Sequence, residues 1–369
     1  MAGCDDRMPA VRTAAAAGGT ARPLLLARTA GFGILRAMST LDRTTIPTRR
    51  PRALITGIAG FAGSHLADYL VGRGDVDVHG ILRPEDGTQN LTHLMDRITL
   101  YPVDMGNYAR LCDVLRTIAP GTVYHLAAQA SVGQSWERPA ATIVGNITMQ
   151  LNLIQAFLTN GLSPRLLVVG SADEYGRVTD KDLPIDEDTP LRPLNPYAVS
   201  KIAQDMLAYQ YHLSHGLHVV RMRPFNHIGP RQGLGFVVPD FAFQIARIEA
   251  GLQEPVMGVG DLSARRDFVD VRDVVRAYVL ALEQGAPGAV YNVGSGRSHR
   301  ISDVLDTMLR LSTRAIRVET DRERLRPSDI REALCDCTRL RAATGWEPAI
   351  ALDQSLLDVL DDWRRRVRA

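Results

Sequence analysis

The sequence predicts an α/β fold: a doubly wound parallel sheet with a smaller C-terminal α/β lobe. Three observations predict it. Short apolar runs bounded by turn residues alternate with helical stretches between Arg52 and Arg223. The first run leads through a glycine-rich turn directly into a helix. After about Asn226 the rhythm loosens, and Pro, Gly and Arg become frequent. Strand–helix alternation implies parallel strands joined by right-handed crossovers, so helices cover both faces of one sheet.

The elements follow in order. Ala53-Leu54-Ile55-Thr56 is a buried parallel strand stopped by Gly57, and 61–70 is a helix with Phe61, Leu66, Tyr69 and Leu70 on one side. Further strands are expected over 77–82, 98–103, 122–125, 165–169 and 218–223, with helices over 108–118, 142–159, 196–214 and 352–365. A Rossmann sheet is the economical arrangement. It gives a nucleotide-binding domain over 51–225 and a lobe over 226–369, some of whose segments return to the sheet.

The 369 residues allow two domains, or one with an appended lobe, and 45% hydrophobic and 23% charged content is ordinary for a globular chain. A net charge of +2 argues for neither nucleic acid nor an acidic membrane surface as partner. Cys4, Cys112, Cys335 and Cys337 form no CxxC pair and have no histidines at zinc spacing, so no metal is expected. Reduced cysteines fit a cytoplasmic enzyme. No run approaches the roughly 18 apolar residues of a membrane span. Residues 1–50 are rich in Ala, Arg, Thr and Gly, with acids only at Asp5, Asp6 and Asp42. They fit a disordered extension, a start assigned too early with Met38 as initiator, or an organelle leader. The first two are preferred because the segment adds no patterned core.

Thr56-Gly57-Ile58-Ala59-Gly60-Phe61-Ala62-Gly63 reads T-G-x-x-G-x-x-G between a strand and a helix. Glycines let the backbone approach a pyrophosphate, whose charge then sits at the helix N-terminus. NAD binders place an acid about 20 residues beyond the glycines to hold the ribose. Here the strand tip carries Arg83, which suits a 2′-phosphate, so NADP (NADPH) is expected over NAD, with Asp86 as an alternative ribose contact. Asp104, at the end of the third strand, is placed for the adenine amino group.

Tyr197-Ala198-Val199-Ser200-Lys201 reads Y-x-x-x-K, which on a helix puts phenol and ammonium on one face. The ammonium favours tyrosinate, which lets the phenol exchange a proton with a carbinol or carbonyl. Ser171 follows the apolar strand 166–169 and is positioned either to hydrogen-bond a substrate carbonyl or simply to cap a turn.

The glycine motif, His125-Leu126-Ala127-Ala128-Gln129, the Ser171 strand end and Y-x-x-x-K together resemble the extended short-chain dehydrogenases, from about Arg52 to Pro348. The resemblance implies a catalytic set of Ser171, Tyr197 and Lys201, with Lys201 also holding the nicotinamide ribose. It implies cofactor contacts from Gly57, Gly60, Phe61, Ala62, Gly63, Arg83, Asp104, Met105, Leu126, Ala127 and Ala128, and a homodimer or higher homo-oligomer through the helices over 142–159 and 196–214.

Within that group, 223–232, 266–273 and 326–329 resemble the GDP-sugar-binding segments of the GDP-mannose 4,6-dehydratases and related reductases. Arg231, Arg266 and Arg326 can neutralise a diphosphate, with Asn226 and Asp329 also on the substrate. A dehydratase needs an extra acid–base carboxylate, and the dehydratases carry T-S-E-L-Y-G where this chain has Ser171-Ala172-Asp173-Glu174-Tyr175-Gly176. Asp173 thus stands at the glutamate position, one methylene shorter. That form, with Phe225-Asn226-His227-Ile228-Gly229-Pro230, resembles the GDP-6-deoxy-D-mannose reductases. The expected activity is NADPH-dependent reduction of GDP-4-dehydro-6-deoxy-D-mannose to GDP-D-rhamnose. The alternatives are 4,6-dehydration and, from another class, a cofactor-binding regulatory protein whose catalytic set has decayed.

Overall fold

Alternate residues of the first strand bury on opposite faces. Ala53 and Ile55 join one apolar core while Leu54 joins another, each 1% exposed or less. That is the signature of a strand central to a sheet covered on both sides. The computed structural model describes residues 50–321 and 330–368. The expectations for residues 1–49, and for Arg326 and Asp329, lie outside the described residues.

In chain order the first part runs β1 (Arg52–Thr56), α1 (Phe61–Arg73), β2 (Asp77–Leu82), β3 (Ile98–Pro102), α2 (Tyr108–Ile118), β4 (Thr122–His125), α3 (Val132–Glu137), α4 (Pro139–Thr159), β5 (Arg165–Val169), α5 (Pro196–His215) and β6 (Val219–Pro224). The second runs β7 (Asn226–Ile228), α6 (Val237–Glu249), β8 (Val256–Val259), β9 (Arg265–Asp270), α7 (Val271–Gln284), β10 (Val290–Val293), β11 (Ser298–Arg300), α8 (Ile301–Leu311), β12 (Arg317–Thr320), β13 (Glu332–Ala333), α9 (Thr338–Thr344) and α10 (Leu352–Arg368).

The main sheet has seven strands in the order β10-β6-β5-β4-β1-β2-β3, all pairs parallel. This is the doubly wound fold expected, with β10 added at one edge. Helices α1 and α7 cover one face, where Leu66, Leu70, Val274 and Tyr278 pack against Ile55, Leu167 and Met222. Helices α2, α4 and α5 cover the other, where Leu115, Leu153, Phe157 and Ala208 meet Leu54, Leu166 and Val219. A third core joins α6, α8 and α10 through Phe241, Ile245, Leu305, Leu356 and Trp363.

Three expectations need correction. Helix α4 begins at Pro139, because proline at the first helical position fixes φ without wasting a hydrogen bond. It is also long and apolar enough, by length and composition, to cross a membrane. Its Asn146 and Gln150 nevertheless bond α5, at Ser200 Oγ (2.9 Å) and Gln204 O (2.7 Å). Finally, the chain after Asn226 is more regular than its composition suggests, since α7 lies against the main sheet.

Candidate active site

The carboxyl ends of β1 to β6 meet a cavity of about 980 Å³, located where the strand order reverses between β1 and β4. Open α/β sheets take their ligands at such a switch point.

Gly57 leaves β1 at φ 72, the left-handed region that favours glycine, and a Cβ there would lie 3.0 Å from the Ala127 main chain. A Cβ on Gly63 would fall 2.2 Å from Gly57 O and 2.9 Å from Ile58 Cα. Helix α1 can therefore pack this closely on the loop only with glycine at both points. Its N-cap, Gly60, offers no side-chain cap, and the first turn holds no acid. The helix end at the cavity wall is left for an anion. Gly60, Phe61, Ala62 and Gly63 line the cavity together with Met105, Leu126, Ala127 and Ala128. This cradle fits a dinucleotide.

Arg83 and Asp86 both line the same end. Arg83 Nη2 donates to Asp86 Oδ1 at 2.7 Å, yet its side chain is 63% exposed and can exchange that partner for a phosphate. Asp104 is not brought to the cavity. Its Oδ1 accepts the Gly106 amide at 2.8 Å, a local turn that leaves Val103 and Met105 as the lining residues.

Helix α5 carries the chemical wall. Asn195 Oδ1 accepts the Ala198 amide at 2.7 Å, Pro196 opens the helix, and Gly216 closes it at φ 66. Tyr197 and Lys201, one turn apart, are both buried and both line the cavity. Lys201 Nζ donates to Val169 O at 2.8 Å. Burial lowers the Lys201 ammonium to about 8, with Glu174 opposing. Burial and the nearby Asp173 push the Tyr197 phenol up, while a hydrogen bond with Ser171 pulls it down. This corrects the expectation that the Lys201 ammonium draws Tyr197 toward tyrosinate: burial outweighs it and keeps the phenol a neutral acid.

Ser171 both lines the cavity and caps the following turn, its Oγ accepting the Asp173 amide at 3.1 Å. Asp173 lines the same wall; burial raises its carboxyl and Arg266 lowers it. Glu174 turns the other way, fully buried behind the wall.

Of the expected substrate arginines within the described residues, neither Arg231 nor Arg266 is among the cavity-lining residues. Arg231, at φ 70, sends Nη2 to Asp68 Oδ2 on α1 at 2.6 Å, and its amide bonds Asp362. The ion pair turns it away from the cavity. Arg266 approaches through Asp173 and donates to Arg265 O (2.8 Å) and Ile330 O (3.1 Å). Asn226 does line the cavity.

The structure adds Gln134, Arg138, His227, Phe236 and Tyr278 to the lining. The Arg138-Pro139 pair was the available signal for one of them, since proline opening α4 places Arg138 at its N-cap. His227 stacks on Phe61 with centroids 5.7 Å apart. That contact joins residues distant in sequence, so no local pattern reveals it.

A family profile described as GDP-mannose 4,6 dehydratase matches residues 54–359. GDP-6-deoxy-D-mannose reductase of Pseudomonas aeruginosa is 38% identical over 317 residues, which is 86% of this chain and 98% of that protein. GDP-mannose 4,6 dehydratase 1 of Arabidopsis thaliana is 31% identical, covering 85% of this chain and 90% of that one. Among solved structures, RMD from Pseudomonas aeruginosa complexed with NADPH superposes with a TM-score of 0.75 at 37% identity, over 86% of this chain and 99% of that one. UDP-glucose 4-epimerase from Thermotoga maritima, with UDP-glucose, gives 0.76 at 28% identity over the same shares.

Proposed function

The chain belongs to the GDP-mannose 4,6-dehydratase family, and from that premise we propose that it reduces the 4-keto group of GDP-4-dehydro-6-deoxy-D-mannose with NADPH, giving GDP-D-rhamnose. The observation that carries reduction over dehydration is the cavity wall: a complete Ser171, Tyr197 and Lys201 set beside Asp173, which stands where the dehydratases carry glutamate. Misplacing a catalytic group by about 1 Å can cost about 100-fold. The 38% identity to a GDP-6-deoxy-D-mannose reductase supports the same choice.

NADPH, when bound, supplies the hydride. Gly57, Gly60 and Gly63 would cradle its pyrophosphate at the α1 N-terminus, Arg83 would take the 2′-phosphate, and Lys201 would take the nicotinamide ribose. Ser171 Oγ donates a hydrogen bond to the sugar ketone. Tyr197 passes its phenolic proton to the same oxygen as that oxygen becomes an alcohol. The Lys201 ammonium stabilises the phenolate left behind, and the enclosed wall keeps water from the exchange. Asn226 contacts the sugar nucleotide.

The test is NADPH consumption with GDP-4-dehydro-6-deoxy-D-mannose, followed by identification of the product sugar. Absence of turnover overturns the reading, and NADPH binding without turnover would leave the regulatory alternative. The dehydratase family profile and the dehydratase relatives favour a second reading. Accumulation of the 4-keto sugar from GDP-mannose, with no added reductant, would establish it.

The reading includes a homodimer. Val144 and Leu151 on α4, and Val199, Met206 and Leu213 on α5, are exposed at seven-residue spacing. Such spacing lines up apolar side chains along adjacent helices, which suits a second copy of the chain. Light scattering should return twice the 40.5 kDa chain mass; a monomer would refute it.

A further inference from the structure

Behind the cavity wall lies a buried chain of charges that the reaction does not consume. Glu174, Asp205, Arg221 and Arg223 are each 7% exposed or less. Glu174 Oε1 accepts the Ser171 amide at 2.8 Å, and its Oε2 lies 3.0 Å from Arg223 Nε. The Arg223 Nε hydrogen bond goes to Asp205 Oδ2 at 2.9 Å, and Arg221 donates to Asp205 Oδ1. Arg223 Nη1 adds the Tyr175 hydroxyl at 3.1 Å, which in turn donates to Asn292 at 2.6 Å.

Asp205 stands one turn beyond Lys201 on α5, so Tyr197, Lys201 and Asp205 share a helix face. The chain of contacts therefore joins α5, β6 and the turn after β5, the pieces that must meet for Ser171 and Tyr197 to face one carbonyl. The sequence is shaped for it. A Cβ on Gly170 would fall 2.2 Å from Glu174 Oε1, so glycine makes room for the carboxylate. The dehydratase motif quoted above has leucine at this place, which can make none of these bonds.

Resting on the reductase reading, we propose that Glu174 is the positioning residue of this active site, tying the Ser171 main chain through Arg223 and Asp205 to the helix that carries Tyr197 and Lys201. Glu174 touches no reacting atom. It also faces Lys201, whose Nζ otherwise donates to Val169 O, lies 5.9 Å from the Tyr197 ring centroid, and adds its repulsion to the burial that holds the His125 imidazole neutral. Burial and Asp205 raise the Glu174 carboxyl while Arg223 lowers it, and Glu174 in turn supports the charged form of Lys201.

The test compares wild type with Glu174→Gln, Glu174→Leu and Glu174→Leu/Arg223→Leu. Four quantities are read: kcat for reduction, the NADPH Kd, the melting temperature and the amide exchange of the segment holding Ser171. Glu174→Leu should lose at least about 10-fold in kcat with an NADPH Kd within about twofold of wild type, because only the carbonyl-facing geometry shifts. Exchange at Ser171 should quicken. Glu174→Gln, which keeps the acceptor for that amide, should recover most of kcat but bring the alkaline fall of the rate to lower pH. The double variant, having no unpaired buried charge, should regain melting temperature without regaining kcat. The proposal is overturned if Glu174→Leu keeps kcat and Ser171 protection, or if kcat returns with stability in the double variant. Wild-type turnover separately decides the reductase reading, and the exchange measurement decides the positioning without any sugar.

Discussion

A methyl group at Gly63 tests the cofactor cradle most directly. Its Cβ would lie 2.2 Å from Gly57 O, against the 3.4 Å at which ordinary contact begins, so helix and loop must part by about 1.2 Å. The opposing atoms are main chain, and no rotamer change relieves them. Overpacking of this kind costs about 1–3 kcal/mol. The parted surfaces are the ones that hold the pyrophosphate, so the same strain falls on binding. If it all does, NADPH affinity drops about 5- to 150-fold. Fluorescence titration of NADPH into Gly63→Ala, with melting curves to confirm folding, measures it. A Kd within twofold of wild type would refute the cradle, because the loop would then have absorbed the methyl group without disturbing the ligand.

Other consequences concern the remaining parts of the site. Tyr197→Phe should lower kcat by about 100- to 10,000-fold, the usual worth of a positioned proton donor, and leave NADPH binding intact; near-normal turnover would remove Tyr197 from the mechanism. Arg83→Ala should weaken NADPH by about 10- to 150-fold through loss of charge-assisted bonds worth about 1.5–3 kcal/mol, while NADH affinity stays unchanged. Equal losses for both cofactors would make Arg83 a general loop residue. Burial holds the Lys201 ammonium near 8, below its ordinary 10.5, so the reduction rate should fall as pH rises through about 8. The folded chain binds fewer protons than the unfolded one between those values, so stability should rise with pH across the same window. Lys201→Met should abolish both trends, and a pH-rate profile unchanged by it would refute the assignment.

The sheet was legible in the sequence because its strands are buried on both faces. Leu166-Leu167-Val168-Val169 and Ala53-Leu54-Ile55 are continuous apolar runs that end in glycine or a polar turn. Three strands after Asn226 give no such signal. β9 reads Arg-Arg-Asp-Phe-Val-Asp, β11 Ser-His-Arg and β13 only Glu-Ala. These three pair, with β7, in one small sheet outside the main one, where ladder bonds and not apolar periodicity hold them. Helix α7 is different: an apolar stripe recurs along Val271–Gln284 and Asp270 caps it at the Arg272 amide, so periodicity beyond Asn226 does mark it. For the site, motifs with fixed spacing on one element were readable, as with Tyr197 and Lys201. Contacts that depend on where a loop turns were not. Arg231, Arg266 and Arg326, in three separate segments, suggest a phosphate clamp from sequence alone, but Asp68, distant in sequence on α1, pairs with Arg231.

The adjacent carboxylates Asp173 and Glu174 show how one turn separates two kinds of role. Ser171 opens a single turn of 3-10 helix over Ala172–Glu174, its Oγ bonding the Asp173 amide while its own amide bonds Glu174. So tight a turn sends consecutive side chains in different directions. Asp173 goes to the cavity and Arg266, and Glu174 goes inward to Arg223 and Asp205. Exchanging the pair would leave composition and charge unchanged, but it would place a shorter acid where Arg223 must be reached and a longer one where the sugar must fit. The order Asp-Glu is therefore part of the site's specification. The missing methylene at position 173 and the extra charge at position 174 both favour a wall that holds a ketone for reduction, with its carboxylate drawn back from the sugar.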